Sequence, residues 1–117
     1  MCTLLSMTGT TCLQQFSVSP SSLLVFPGTN VTMVCRVYNI LGQCRWEKDG
    51  KPVGMYPDKY TLPSVSIVGT PGDCSLYIAR VDLGIDEGLW KCQVTASNIS
   101  SQDALVSPPA RLTVQGN

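Results

Sequence analysis

An all-β, two-sheet Greek-key sandwich is the fold class that three observations predict for this 117-residue chain. Short runs alternate apolar with polar residues, turn residues separate them at regular intervals, and no stretch has a convincing helical period. Cys35 and Cys92 fall on inward positions of two such runs, with Trp46 between them. Finally, Asp86-Glu87-Gly88-Leu89-Trp90-Lys91-Cys92 places an aromatic residue two positions before a cysteine, where an alternating run begins.

The Cys…Trp…Cys order is that of an immunoglobulin-like sandwich of the V/I-set kind, whose strands are lettered A to G. Residues 1–15 read as an N-terminal extension or signal-peptide remnant, residues 16–115 as the domain, and residues 116–117 as the start of a linker, as if a domain had been excised. Phe16-Ser17-Val18-Ser19 and Ser22-Leu23-Leu24-Val25 form strands A and A′. The intervening Pro20 suits an edge strand that changes sheets, because an edge tolerates a missing amide donor. After the turn at Pro27-Gly28-Thr29, strand B points Val31, Met33, Cys35 and Val37 inward and Thr32, Val34, Arg36 and Tyr38 outward. Strand C, Gln43 to Lys48, buries Cys44 and Trp46. Asp49-Gly50 is a hairpin signal that leads into a short C′ strand over Lys51 to Met55. Prolines at 57, 63 and 71 leave room for only a short strand D near Val65 to Val68. Strand E alternates Cys74, Leu76 and Ile78 inward with Ser75, Tyr77 and Ala79 outward, and strand F does the same with Trp90, Cys92 and Val94 against Lys91, Gln93 and Thr95. Strand G runs from Ala104 to Gln115 and is broken by Pro108-Pro109.

Composition excludes several function classes. Eight basic and eight acidic residues cancel, and no run of like charge is long enough for a nucleic-acid arm, so no nucleic acid is expected as partner. The chain has no histidine, which removes the usual general base and every Ser-His-Asp or Cys-His arrangement. Asp86 and Glu87 are adjacent on an extended chain, point to opposite faces, and cannot share a substrate as a glycosidase pair does. Gly69-Thr70-Pro71-Gly72 lacks the lysine, serine and helix of a phosphate cradle. No enzymatic activity, metal or cofactor is therefore expected, and Asp86 is expected to accept hydrogen bonds at the E–F corner or to pair with a base such as Lys59. No run of about eighteen apolar residues is present, so this segment is not expected to insert in a membrane.

Six cysteines without a single CxxC pair point to disulfides in an oxidising, extracellular setting rather than to zinc. Cys35 on B and Cys92 on F make the inter-sheet bridge. Strands C and E both begin at the end of the sandwich that carries the BC, DE and FG loops, and Cys44 and Cys74 share the parity of their buried neighbours. A second inter-sheet disulfide, Cys44–Cys74, is the expectation, with two buried thiols as the alternative. Cys2 and Cys12 remain unassigned. Trp46, Trp90, Leu76 and Ile78 are expected in the core, although Trp90 stands where this sandwich usually has a tyrosine whose hydroxyl reaches back to upstream backbone.

The outward face of strands G, F, C and C′ is the expected working surface. It presents Gln43, Arg45 and Glu47 from C and Lys91, Gln93 and Thr95 from F, with Val53 and Met55 nearby, and it mixes amides, both charge signs and some apolar area. A plain solvated sheet face has the same composition. Asn30-Val31-Thr32 and Asn98-Ile99-Ser100 are acceptor triplets for N-linked glycan. Sugar at Asn30 on the opposite sheet leaves the G-F-C face free.

Gln43-Cys44-Arg45-Trp46-Glu47-Lys48-Asp49-Gly50, Val53-Gly54, Gly72-Asp73-Cys74-Ser75-Leu76-Tyr77-Ile78, Cys92-Gln93-Val94 and Leu105-Val106-Ser107-Pro108 together resemble the first immunoglobulin domain of the nephrin and irregular-chiasm (Kirre, Roughest) adhesion proteins. The resemblance covers about residues 16–115. Cys44 and Cys74 are additional to the nephrin pattern and resemble an extra pair in adhesion proteins of the fasciclin III type. What it implies is a cell-surface receptor whose outermost domain binds another immunoglobulin-superfamily domain in trans, itself or an unlike one, through the G-F-C face. Gln93 is then the leading contact, with Gln43, Arg45 and Glu47 as companions. A secreted protein binding a soluble or microbial ligand through its loops, and a structural spacer domain, are the other readings of the same sandwich.

Overall fold

The computed structural model describes residues 13–63 and 72–116. Two sheets pack face to face around the Cys35–Cys92 disulfide, whose Cα atoms lie 6.5 Å apart. In the first layer, β1 (Gln15–Val18) pairs antiparallel with β4 (Arg36–Tyr38), while β3 (Val31–Met33) pairs with β8 (Leu76–Ile78), and β8 with β7 (Tyr60–Thr61). β3 and β4 are the two halves of strand B. The second layer has the order β2-β11-β9-β5-β6, from β2 (Leu23–Val25), β11 (Ala110–Val114), β9 (Gly88–Val94), β5 (Cys44–Lys48) and β6 (Lys51–Pro52). β10 (Leu105–Val106) also pairs with β9.

The opening strand changes sheets as its proline predicts. β1 belongs to the first layer, whereas β2 runs parallel to β11 in the second. The hairpin between β5 and β6 has Asp49 at φ 53° and Gly50 at φ 84°. Two consecutive residues with positive φ make the tight turn whose twist matches its strands, which is why Asp-Gly occupies it.

All four of Val31, Met33, Cys35 and Val37 are buried, as the period-two reading requires, and so are Trp46, Leu76, Ile78, Trp90, Cys92 and Val94. The two indoles meet edge to face with centroids 6.5 Å apart, and the Tyr60 ring meets Trp90 in the same way at 5.6 Å. Such aromatic pairs stabilise a core by about 0.5–1.5 kcal/mol beyond their buried area. The second bridge, Cys44–Cys74, joins the layers beside the first, with Cα atoms 5.5 Å apart and Cys74 N donating to Cys35 O at 2.7 Å. Backbone is tied there too, since Trp46 Nε1 donates to the carbonyl of Cys74 at 2.8 Å.

Several local expectations change. Ser75 and Ala79, outward by alternation, are buried. Ser75 Oγ accepts the Cys35 amide at 3.1 Å, and Ala79 N donates to Lys59 O at 2.9 Å, so the neighbouring chain covers both. The C′ strand is only Lys51–Pro52, and past it a single further bond, from Val53 N to Trp46 O at 3.0 Å, ties the chain to β5. The expected strand near Val65 to Val68 lies outside the described residues; among the described ones, Tyr60–Thr61 pairs with β8. A one-turn helix, α1 (Leu83–Asp86), fills the corner between β8 and β9 and is capped by Asp82, whose side chain accepts from Gly84 N at 2.8 Å.

Candidate recognition face

The β5–β9 ladder decides which outward side chains can touch. Its register sets Arg45 opposite Gln93 and Glu47 opposite Lys91, with Trp46 and Cys92 paired between them on the inner side. Directly opposed residues stand within side-chain reach. Gln93 Nε2 donates to Glu47 Oε1 at 2.7 Å, a diagonal contact that fixes the amide and leaves its Oε1 available as an acceptor. Arg45 is exposed, while Glu47, Lys91 and Gln93 are half-buried.

Gln43 and Thr95 lie just beyond the strands. Thr95 N donates to Gln43 O at 3.0 Å, and Thr95 Oγ1 accepts from Gln43 N at 2.8 Å. Thr95 therefore closes the end of the ladder, and Gln43 extends an exposed side chain beside it. Val53 turns toward the core, its amide donating to Trp46 O at 3.0 Å, and Met55 stays exposed.

Three further apolar residues lie on this face. Val106 lies opposite Gln93 and is 58% exposed. Leu89, opposite Arg111, and Leu24, opposite Thr113, extend apolar surface down the same sheet. Leu89 shares the parity of Lys91 and Gln93, so the period carried two residues back finds it. Val106 has no such signal, because Pro108-Pro109 interrupts the run that would set its parity.

The loops at the end of the face are held by a residue with no sequence signal. Gln14 is buried, and its Nε2 donates to Thr95 O at 3.0 Å and Asp103 O at 2.9 Å. Its Oε1 accepts from Leu41 N at 2.9 Å and Gly42 N at 2.7 Å. Gly42 is needed at this approach, since a Cβ there would stand 1.8 Å from Thr95 O. Asp103 completes the frame by accepting from Ser97 N at 2.9 Å and Ser97 Oγ at 2.7 Å. The Ser97 backbone bond, followed by its hydroxyl, holds the Asp103 carboxyl below the usual aspartate pKa.

The opposite end is built around buried Asp86, which accepts from Lys59 Nζ at 2.6 Å, from Asp82 N at 2.7 Å and from the Tyr60 hydroxyl. Burial, and then the bond to Asp86, push the Tyr60 phenol well above its ordinary pKa. Every charge in this cluster is spent on structure.

No protein-family model matches the chain. Kin of IRRE-like protein 3 from Mus musculus and from Homo sapiens is 35% identical over 101 residues, spanning 85% of this chain and 12% of the relative. Among solved structures, the Rst D1-D2 pair superposes with a TM-score of 0.74 at 33% identity, over 89% of this chain and 50% of that one. Duf (Kirre) D1 gives the same TM-score at 29% identity, over 89% of this chain and 98% of its own length. This is a Kirre-type immunoglobulin domain, homologous to those of Rst and Kin of IRRE-like protein 3. The chain spans about an eighth of the curated relatives it matches. In this Kirre-type domain the matched region holds both disulfides and the Arg45, Glu47, Lys91 and Gln93 cluster, and no helix among the described residues is long and apolar enough to cross a membrane.

Proposed function

We propose that this domain is an extracellular adhesion and recognition module that binds another immunoglobulin-type domain, like or unlike, through the face of β5, β9, β10 and β11. Homology to Kirre and Rst immunoglobulin domains supports the adhesion class. The observation that carries the choice of face is the register that brings Arg45, Glu47, Lys91 and Gln93 into one patch, flanked by exposed Val106 and Leu89. A fixed amide with a spare acceptor, cations that form no ion pair among the described residues, and apolar borders together suit a protein partner of mixed polarity. Gln93 is the central contact, with Arg45, Glu47, Lys91 and Gln43 around it and Thr95 holding the strand ends in place.

Sedimentation of the folded domain alone and with candidate surface receptors, alongside cell aggregation, tests this reading. Gln93→Ala and Arg45→Glu should each weaken association about tenfold or more, the scale of a central interface residue. Unchanged association in both variants, with circular dichroism and melting intact, rejects this face.

A further inference from the structure

The loop between β9 and β10 contains Asn98-Ile99-Ser100, one of the two acceptor triplets for N-linked glycan. Asn98 and Ser100 are exposed, and the Ile99 side chain between them is fully open to solvent at 104% relative exposure. An aliphatic side chain placed this way leaves apolar area in water and contributes nothing to the core.

The loop also orients the Asn98 amide. Its Oδ1 accepts from Ser100 N, Ser100 Oγ and Ser101 N, each at 2.9 Å. Those three bonds fix the carbonyl side, while Nδ2 has no hydrogen-bond partner among the described residues. Behind it, Ser97 is anchored to buried Asp103, so the loop base is held independently of Asn98. The Asn30 triplet is built differently. Val31 lies in the core and Thr32 is paired in β3 opposite Tyr77, so two of its three residues belong to a ladder.

We infer that Asn98 carries an N-linked glycan in the secreted protein and that its first sugars lie over Ile99. In the attachment step, Nδ2 of Asn98 attacks the anomeric carbon of a lipid-diphosphate oligosaccharide. A C–N bond forms, the C–O bond to the diphosphate breaks, the lipid diphosphate leaves with the electron pair, and Nδ2 gives up one proton to a base. A sugar added during synthesis is then accommodated by the folded loop, which keeps Oδ1 inward and Nδ2 unengaged. The carbon-bearing faces of the sugar rings cover the isoleucine. This assignment is independent of what the β5–β9 face binds.

The test is expression through the secretory pathway of a glycosylating eukaryotic cell, followed by peptide mapping after amidase treatment in heavy-oxygen water. Asn98 should be recovered mainly as isotope-labelled aspartate, with the label absent in Ser100→Ala and retained in Asn30→Gln. Recovery of unmodified Asn98 from the secreted wild-type domain overturns the assignment. Removing the sugar from the folded protein should raise binding of an apolar dye severalfold, and Ile99→Ser should abolish the increase. Equal dye binding with and without the sugar overturns the shielding role.

Discussion

Asp103 and Gln14 hold the loops at the end of the proposed recognition face through hydrogen bonds alone, and Asp103 bears on how the domain responds to acid. Asp49, at the hairpin between β5 and β6, belongs with Asp103, because the Leu89 amide and then Lys48 hold its carboxyl below the ordinary aspartate value. An unfolded aspartate titrates near about pH 4. As pH falls, the unfolded chain therefore binds protons before the folded one does, and the stability these two carboxylates supply is lost. It should be complete above about pH 5, decline below about pH 4 and vanish once the folded carboxyls protonate. Thermal melts across that range check this, and Asp103→Asn should lower stability at neutral pH while flattening the acid limb. An acid limb of unchanged steepness in that variant would show that Asp103 contributes nothing to it. Neither role was legible in the sequence. Gln14 finds its partners 27 to 89 residues away, and a glutamine followed by a second glutamine carries no periodic signal that it is buried.

Elements were more legible because each strand carries its own period. Alternation locates the B, C, E and F strands, and it misleads only where a neighbour covers an outward position, as at Ser75 and Ala79. The corner before β9 is the informative case. With no hydroxyl at position 90, an altered corner follows from the sequence, and the indole supplies the substitute: Trp90 Nε1 donates to Asp86 O at 2.9 Å, four residues upstream. The same segment carries the one-turn helix that orients the Asp86 carboxylate toward Lys59 and Tyr60. Trp90→Phe removes the donor, leaves a buried carbonyl without its bond and opens space beside Trp46 and Tyr60. It should cost about 2–4 kcal/mol in denaturant unfolding. Trp90→Tyr should cost less than Trp90→Phe, because a hydroxyl can again reach the upstream backbone. Equal losses for the two would assign the effect to packing alone.

At the scale of the whole molecule, the disulfide framework tied topology to sequence most firmly. Parity put Cys44 and Cys74 inward, and the order of strands put both at one end of opposite sheets, so their pairing tested the entire strand assignment. The double variant Cys44→Ser/Cys74→Ser opens a link of 30 residues separation and should lose about 3–4 kcal/mol while still folding around Cys35–Cys92. Guanidinium unfolding of the oxidised protein measures this, and stability equal to wild type would make the second bridge dispensable. Recognition chemistry is legible only as a face, because side-chain character fixes which residues look outward and not what lies opposite them.

The parallel pairing of β2 with β11 has a mechanical consequence for a domain of this class. A pull between the two chain ends draws these strands past each other lengthwise, so the rungs at Leu23–Leu112, Leu24–Thr113 and Val25–Val114 carry the load together instead of parting one by one like a zip. Beneath them the Cys35–Cys92 bond spans 57 residues that cannot pay out as slack even if the sheet ruptures. Tension on such a junction would therefore be resisted first by shear and then by a covalent stop that limits how far the tether can lengthen.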